Sequence, residues 1–332
     1  MNPYKSGIIA LCLGLAACGG IKQKAAQPKV ELPANYGSPS DSALKALPAW
    51  TAIYTEPILR QHIDTALRRN FDIRLAMQAL ELSRAGIRFT RGIRLPEVGF
   101  AAGSGVRRFG EYTMDGVGNF DTQFSPNLKE EQRVPNPLPD YQVGLVSTWE
   151  LDLYGKLKNE KQAAIARFAA TEAGRRFVAT QVTADIAGQY LELQASDREL
   201  SIIRNSIRLQ QEALDLVRAQ KEAGLANQLA VELMEAQLLS TQAFEFDIQG
   251  RVAEQEAQLN FLLGKNGGRP SRDSLSAALP LSELLRVGLP SDVLRFRTDI
   301  QQAEQELQAA GADLKAARKA LFPSLVINSQ LG

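Results

Sequence analysis

The spacing of apolar residues divides this chain into long helical stretches and short alternating ones. Ile186, Leu193, Leu200, Ile207 and Leu214 recur at strict sevens, with Ile203 and Val217 at the +3 positions, which is a coiled-coil period. No proline occurs between 140 and 269, so 156–224 is predicted as a single helix of 69 residues. At 1.5 Å per residue that is about 100 Å. Its first third is alanine-rich (AAIARFAATEAG), which lets neighbouring helices approach closely. Gly224 is placed to end this helix and Asn227 to N-cap a return helix over 228–263. That return carries Val231, Met234, Leu238, Ile248, Val252, Leu259 and Leu262 at three–four spacing and stops at Gly264. The prediction is an antiparallel helical hairpin.

Ahead of it the period falls to two. From Pro96, Val98, Phe100, Ala102 and Val106 alternate with Glu97, Gly99, Ala101, Gly103 and Gly105. A second alternation sets Tyr141, Val143, Leu145, Trp149 and Leu151 against Gln142, Gly144, Thr148, Glu150 and Asp152. About ten residues, apolar on one face and polar or glycine on the other, with aromatics near the ends, is the pattern of a transmembrane β-strand. Residues 107–140 between them are rich in Pro, Gly and Asn and are read as a polar loop, its KEEQR run (129–133) as solvated. Upstream, Pro57 near a helix start and Leu59, Ile63 and Leu67 on one face predict a helix, with a break near Asn70 and a second helix from Phe71.

A long repeat organises these pieces. Residues 72–105 recur 227 positions later as 299–332, without a gap. The offset pairs Ile73 with Ile300, Gln78 with Gln305, Leu80 with Leu307, Arg91 with Arg318, Pro96 with Pro323 and Gly105 with Gly332. Each copy is a helix closed by proline and followed by alternating residues. A period this long marks a duplicated half-molecule rather than a solenoid.

The N-terminus supplies an address. Lys5 precedes the apolar run GIIALCLGLAA, too short to span a bilayer and typical of a signal-peptide core. Leu15-Ala16-Ala17-Cys18 resembles the bacterial lipobox, which implies a leader over 1–17 and a lipid on Cys18. Gly19 in the next position, by analogy with such lipoproteins, points to the outer membrane. Residues 18–48 read as a tether rich in Pro, Gly, Ser and Ala, able to run over 50 Å when extended. Cys12 leaves with the leader, so the mature chain has one cysteine and no internal disulfide.

Charge removes other classes. Of 38 basic residues Lys5 leaves with the leader, giving 37 against 37 acidic ones, so no field gathers nucleic acid or anionic substrates. No second apolar run reaches eighteen residues, so any crossing of a membrane must use strands of a closed barrel. Catalytic chemistry finds little support. His62, the one histidine, sits beside Gln61 and is read as a solvated helix residue. No HExxH, GxSxG, phosphate loop or Cys/His cluster occurs, and no metal or cofactor is expected beyond the lipid on Cys18. Glu150 and Asp152, two apart on a strand, share a face and resemble a carboxylate pair.

The lipobox, the Trp50…Pro57…Asn70 opening, WELDLYGK at 149–156, AGL at 223–225, LNFLLG at 259–264 and FRTDIQQAEQEL…ALFPSL at 296–325 resemble the outer membrane factor family of tripartite efflux systems, in its TolC-like, NodT/OprM-type lipoprotein branch. Thr298 stands where that family usually has proline. The resemblance implies a mainly α fold with transmembrane β: long antiparallel coiled-coil helices forming a periplasmic α-barrel, and strands given to a twelve-stranded β-barrel shared by a homotrimer. It divides the chain into the α-barrel segments 49–95 and 156–264, the β-hairpin 96–155, an equatorial loop with the first helix of the second repeat (265–321), and the start of a third strand (322–332). It further implies a passive exit duct for drugs or other small molecules, opened by a periplasmic adaptor (a membrane fusion protein) and an RND-type inner-membrane pump. On this reading Glu150 and Asp152 are lumen-facing charges at the barrel–tunnel junction. The hairpin tip, with Lys221, Ala223, Gly224, Leu225 and Asn227, is where the adaptor docks. By the repeat, residues 105–264 are expected to have a counterpart beyond Gly332, which makes this a C-terminally truncated version of the two-copy design, not conducting alone. Two rivals carry other expectations. A lipid-anchored periplasmic scaffold would have no alternating strands, and an adaptor-like subunit would show β-rich segments flanking its hairpin.

Overall fold

A computed structural model describes residue 33 and residues 49–273 and 290–332. The leader, Cys18, nearly all of the tether and the stretch 274–289 lie outside the described residues, so the lipid-site expectation has no structural counterpart here. The elements run α1 (Trp50–Ile53), α2 (Pro57–Arg69), α3 (Phe71–Gly92), β1 (Glu97–Arg107), α4 (Met114–Phe124), a 3-10 turn (Glu130–Gln132), β2 (Leu138–Leu151), α5 (Lys156–Glu222), α6 (Gln228–Leu262), α7 (Pro290–Phe296), α8 (Thr298–Lys319) and β3 (Leu325–Leu331).

Helix α5 is 67 residues long, and every long helix packs on it. The heptad stripe faces inward: Ile186 and Leu193 are wholly buried, Leu214 nearly so, and Leu200, Ile203, Ile207 and Val217 pack beside them. Helix α6 answers with Val231, Leu238, Ile248, Val252 and Leu259, while Met234 stays more exposed. Each fully buried Leu or Ile here contributes about 1.5–3 kcal/mol. Nearer the strands α5 buries Ala163, Ala164, Ala166, Ala170 and Ala173, and α8 presents Ala309 and Ala316. Small side chains let these backbones close, and Arg167–Asp313 ties the outer edge of the α5–α8 pair.

The repeat is visible in three dimensions. Helices α3 and α8 are both 22 residues, and Phe71 to Thr298 and Gly92 to Lys319 are each 227 positions apart. Both pack on α5, so the two copies of one helix flank a common stave.

The strands form one antiparallel sheet in the order β1-β2-β3. Its register decides what each face presents, because residues directly opposite share a side. Phe100 lies opposite Leu145 and Ala102 opposite Val143, while Leu145 also faces Leu331, and Trp149 faces Ile327. One face is therefore apolar across all three strands, and most of its large side chains are exposed: Phe100 70%, Tyr141 80%, Val143 63%. The opposite face carries Gly103 against Gln142, Thr148 against Asn328 and Glu150 against Val326, with an Arg107–Asp140 ion pair at 2.9 Å. An exposed apolar sheet backed by glycine and polar residues is the reverse of a soluble protein's sheet, whose apolar face is the covered one.

The 107–140 loop contains more order than expected. Thr113 accepts a bond from the Gly116 N–H (3.1 Å) and starts α4, in which Phe120 and Phe124 meet at 4.8 Å between ring centres. Gly116, Gly118 and Asn119 within α4 mask the helical spacing of its two aromatics.

Candidate channel wall, junction and tip

The tip of the α5–α6 hairpin is a double-bonded helix end. Leu225 N–H donates to Gln220 O (2.8 Å) and Gly224 N–H to Lys221 O (3.0 Å), the pairing that requires a left-handed residue at Gly224, whose φ is +76°. Asn227 Oδ1 then accepts from Ala230 N–H (3.0 Å) and opens α6. Lys221 Nζ donates to Gln228, and Leu225 is 81% exposed. The turn therefore places all five tip residues of the sequence reading on one surface. It also shows that the Asn227 oxygen is spent on capping, and that a Cβ on Gly224 would meet nothing within 4 Å.

At the other end of α5, Glu150 and Asp152 have different tasks. Glu150 lies on the polar sheet face and pairs with Lys156 (3.0 Å). Asp152 lies just past β2, where its two oxygens accept the N–H groups of Leu157 (3.0 Å) and Lys158 (2.8 Å). It satisfies the first turn of the 67-residue helix and places a negative charge at its positive end. The strand–helix corners are pinned further by Trp149 Nε1 donating to Arg94 O (3.1 Å) and by Tyr154 stacked on Phe322 at 4.9 Å.

A third cluster, unseen in the sequence, lies midway along α5. Asn70, 2% exposed, takes three bonds: Oδ1 accepts from Asp72 N–H (2.8 Å) and Ile73 N–H (3.3 Å), while Nδ2 donates to Leu262 O (2.8 Å). One side chain thus caps α3 and holds the end of α6. At that end Gly264 (φ +64°) approaches the last turn of α2 so closely that a Cβ would lie 2.5 Å from Arg69 O. His62 corrects the expectation of a solvated helix residue: it is 3% exposed, and its ring Nε2 sits 2.7 Å from Ser271 O, as a donor to that carbonyl. Burial pushes its pKa down, so the ring is neutral at neutral pH. Its partner lies 209 residues away in sequence, which no local pattern reveals.

The same loop is clipped twice more. Tyr190, wholly buried, donates to Glu56, which also accepts from Gln194 (3.3 Å); Gln194 in turn donates to Asp273 O (3.1 Å). Burial, followed by the Glu56 bond, pushes the Tyr190 hydroxyl up, so it stays a donor. Arg272 forks onto Asp197 and reaches Glu256 (2.7 Å), with Arg269 behind at 3.2 Å from Glu256. The Asp197 bond raises the Arg272 pKa, so the guanidinium stays charged although only 12% of the side chain is exposed. Asn70→Ala should cost about 2–3 kcal/mol, a lost cap plus an unpaired Leu262 carbonyl. The thermal midpoint of the helical circular-dichroism signal reads this out. Asn70→Ser, which restores only the cap, should recover about 1 kcal/mol of the loss.

Among the described residues no group of His, Cys, Asp and Glu is placed to hold a metal ion, and no helix is long and apolar enough to cross a membrane. What the geometry defines is a wall: a sheet with an apolar outer face running directly into a helical hairpin with a capped tip. A match to the family described as outer membrane efflux protein covers residues 62–265. The chain is 30% identical to the solvent efflux pump outer membrane protein SrpC of Pseudomonas putida, over 99% of this chain and 68% of that one. It is 28% identical to the cation efflux system protein CusC of Escherichia coli, again over 99% and 68%. A crystal structure of CusC superposes with a TM-score of 0.71 at 28% identity, over 92% of this chain and 66% of that one. The open-state MtrE outer membrane channel of Neisseria gonorrhoeae superposes with a TM-score of 0.72 at 26% identity, over 93% and 65%. The chain spans about two thirds of the length of the relatives it matches. It belongs to the outer membrane efflux protein family, a family of efflux proteins rather than enzymes, and its place is the outer membrane.

Proposed function

We propose that this protein forms the wall of an outer-membrane exit duct in a tripartite efflux system, as a homotrimer fed by a periplasmic adaptor and an inner-membrane pump. The observation that carries the reading is the continuous apolar face of β1, β2 and β3, joined to α5 by only the short bend 152–155. Such a face stays exposed only where hydrocarbon covers it, and strands in hydrocarbon require a closed barrel to pair their edges. Polar residues and glycine on the other face then line an aqueous lumen, with Glu150 at its lower rim and Asp152 holding the first turn of the tunnel helix. Cys18 carries a lipid that assists an insertion the barrel itself performs. The tip residues Lys221, Ala223, Gly224 and Leu225 receive the adaptor, with Asn227 shaping the turn. Relatives are named for solvent and for cation efflux. On this reading cargo is chosen by the pump and the duct is passive. Deletion of the gene should raise accumulation of a pump substrate dye several-fold, and re-expression should restore efflux. In unboiled membrane samples the protein should run as a heat-dissociable trimer. A monomer released by washing, with dye export unaffected by the deletion, would sink the duct and favour a scaffold.

A further inference from the structure

The three corners where strands meet helices share an unexplained charge pattern. Helix α3 has Arg91 in its last turn and Arg94 two residues past its end, just before β1, and α8 ends in Arg318 and Lys319 before β3. Cations at those helix C-termini are what the backbone dipole favours. Helix α5 is the anomaly: it starts at this level with Lys156, Lys158 and Lys161 and has no acidic residue in its first turn. Cations at a helix N-terminus oppose the dipole, and the carboxylate that answers it, Asp152, is committed to the Leu157 and Lys158 N–H groups rather than to the lysine side chains. Lys156 is accounted for by Glu150. Lys158, exposed, and Lys161, half-buried, make no ion pair among the described residues, nor do Arg91 and Arg94.

The layers on either side say what these cations face. The exposed apolar sheet face comes first, and at its lower edge stand Trp149, Tyr154 and Phe322, with Leu95, Leu153 and Leu321 exposed at 66%, 63% and 87%. The cations follow immediately on the helix side. Hydrocarbon face, aromatic and leucine edge, then lysine and arginine reproduces in order the profile of one bilayer leaflet, from acyl chains to phosphate. Lys319 spans the last two layers, its ammonium 5.6 Å from the centre of the Phe322 ring. Glu97 and Glu160 are the acidic residues of this zone not otherwise engaged, too few to neutralise it.

We propose that this ring is a binding belt for anionic phospholipid headgroups of the leaflet facing the helices, with Arg94, Lys158 and Lys319 supplying one phosphate contact per corner. The proposal rests on the barrel reading above. The test reconstitutes the full-length protein in vesicles of phosphatidylethanolamine alone and with one quarter phosphatidylglycerol, then measures co-purifying lipid by native mass spectrometry. Wild type should retain phosphatidylglycerol well above its bulk fraction. Each cation near an anionic surface is worth about a fivefold change in partition, so R94Q/K158Q/K319Q should lower the bound ratio of phosphatidylglycerol to phosphatidylethanolamine tenfold or more while heat-dissociable trimers persist. Lipid retained in bulk proportion by wild type, or enrichment unchanged in the triple variant, overturns the belt and leaves the barrel standing. Failure of wild type to enter either vesicle overturns both. If the triple variant does not assemble, K158Q and K319Q are measured singly, each expected to lower that bound ratio about fivefold; no change in either overturns the belt.

Discussion

Gly264→Ala is expected to destabilise the middle of the hairpin by about 2–4 kcal/mol: 1–2 from forcing a side chain into left-handed backbone and the rest from displacing the α2 terminus. The new Cβ would lie 2.5 Å from the Arg69 carbonyl oxygen, which is backbone and has no rotamer to escape into. Gly224 is the built-in control, because it has the same helix-ending bonds and a similar φ, yet opens on empty space. Gly224→Ala should therefore cost only about 1–2 kcal/mol, the backbone part alone. Trypsin cleavage at Lys265, Arg269 and Arg272 in intact membranes would report the difference. Fast cleavage in the Gly264 variant and wild-type resistance in the Gly224 variant is the expected pair; equal resistance in both would refute the close approach.

The second large effect is functional rather than thermodynamic. Gly224→Trp should reduce dye efflux to the level of the deletion strain while trimers still assemble. The indole adds a bulky group at a tip where Leu225 already stands 81% exposed and a Cβ on Gly224 meets nothing within 4 Å. Gly224→Ala carries the same left-handed strain without the bulk, so loss of export in the Trp variant with normal export in the Ala variant assigns the loss to what meets the tip from outside. Normal efflux with intact trimers would remove the tip from the docking surface and leave it an ordinary turn.

Much of this architecture was legible because it is periodic. Sevens from Ile186 to Leu214 became the buried stripe of α5, and the displacement of 227 became two helices of equal length on one stave. Alternation in two strands predicted their faces, and the register then joined those faces into one apolar surface. What stayed hidden depends on pairs distant in sequence. His62 looked solvated because its carbonyl partner is at Ser271, and Tyr190 gave no sign that it would donate to Glu56. Asn70 was visible as a break between helices, but its hold on Leu262 needed the α6 end to be brought there. Asp152 was read as one of two similar carboxylates, whereas a bend after Leu151 turned it to the start of α5.

The unbroken length of α5 has a mechanical consequence. A rigid rod about 100 Å long converts each degree of tilt at the Asp152 corner into a sweep of about 2 Å at Gly224. The ties at Tyr190 and Asp197 grip it some 50–60 Å along, so they act as a second bearing and shorten the free lever to roughly half. Loosening that bearing would magnify motion at the far end with no change at either the sheet or the tip, which makes the midpoint of the stave the place where small forces set how far the end can swing.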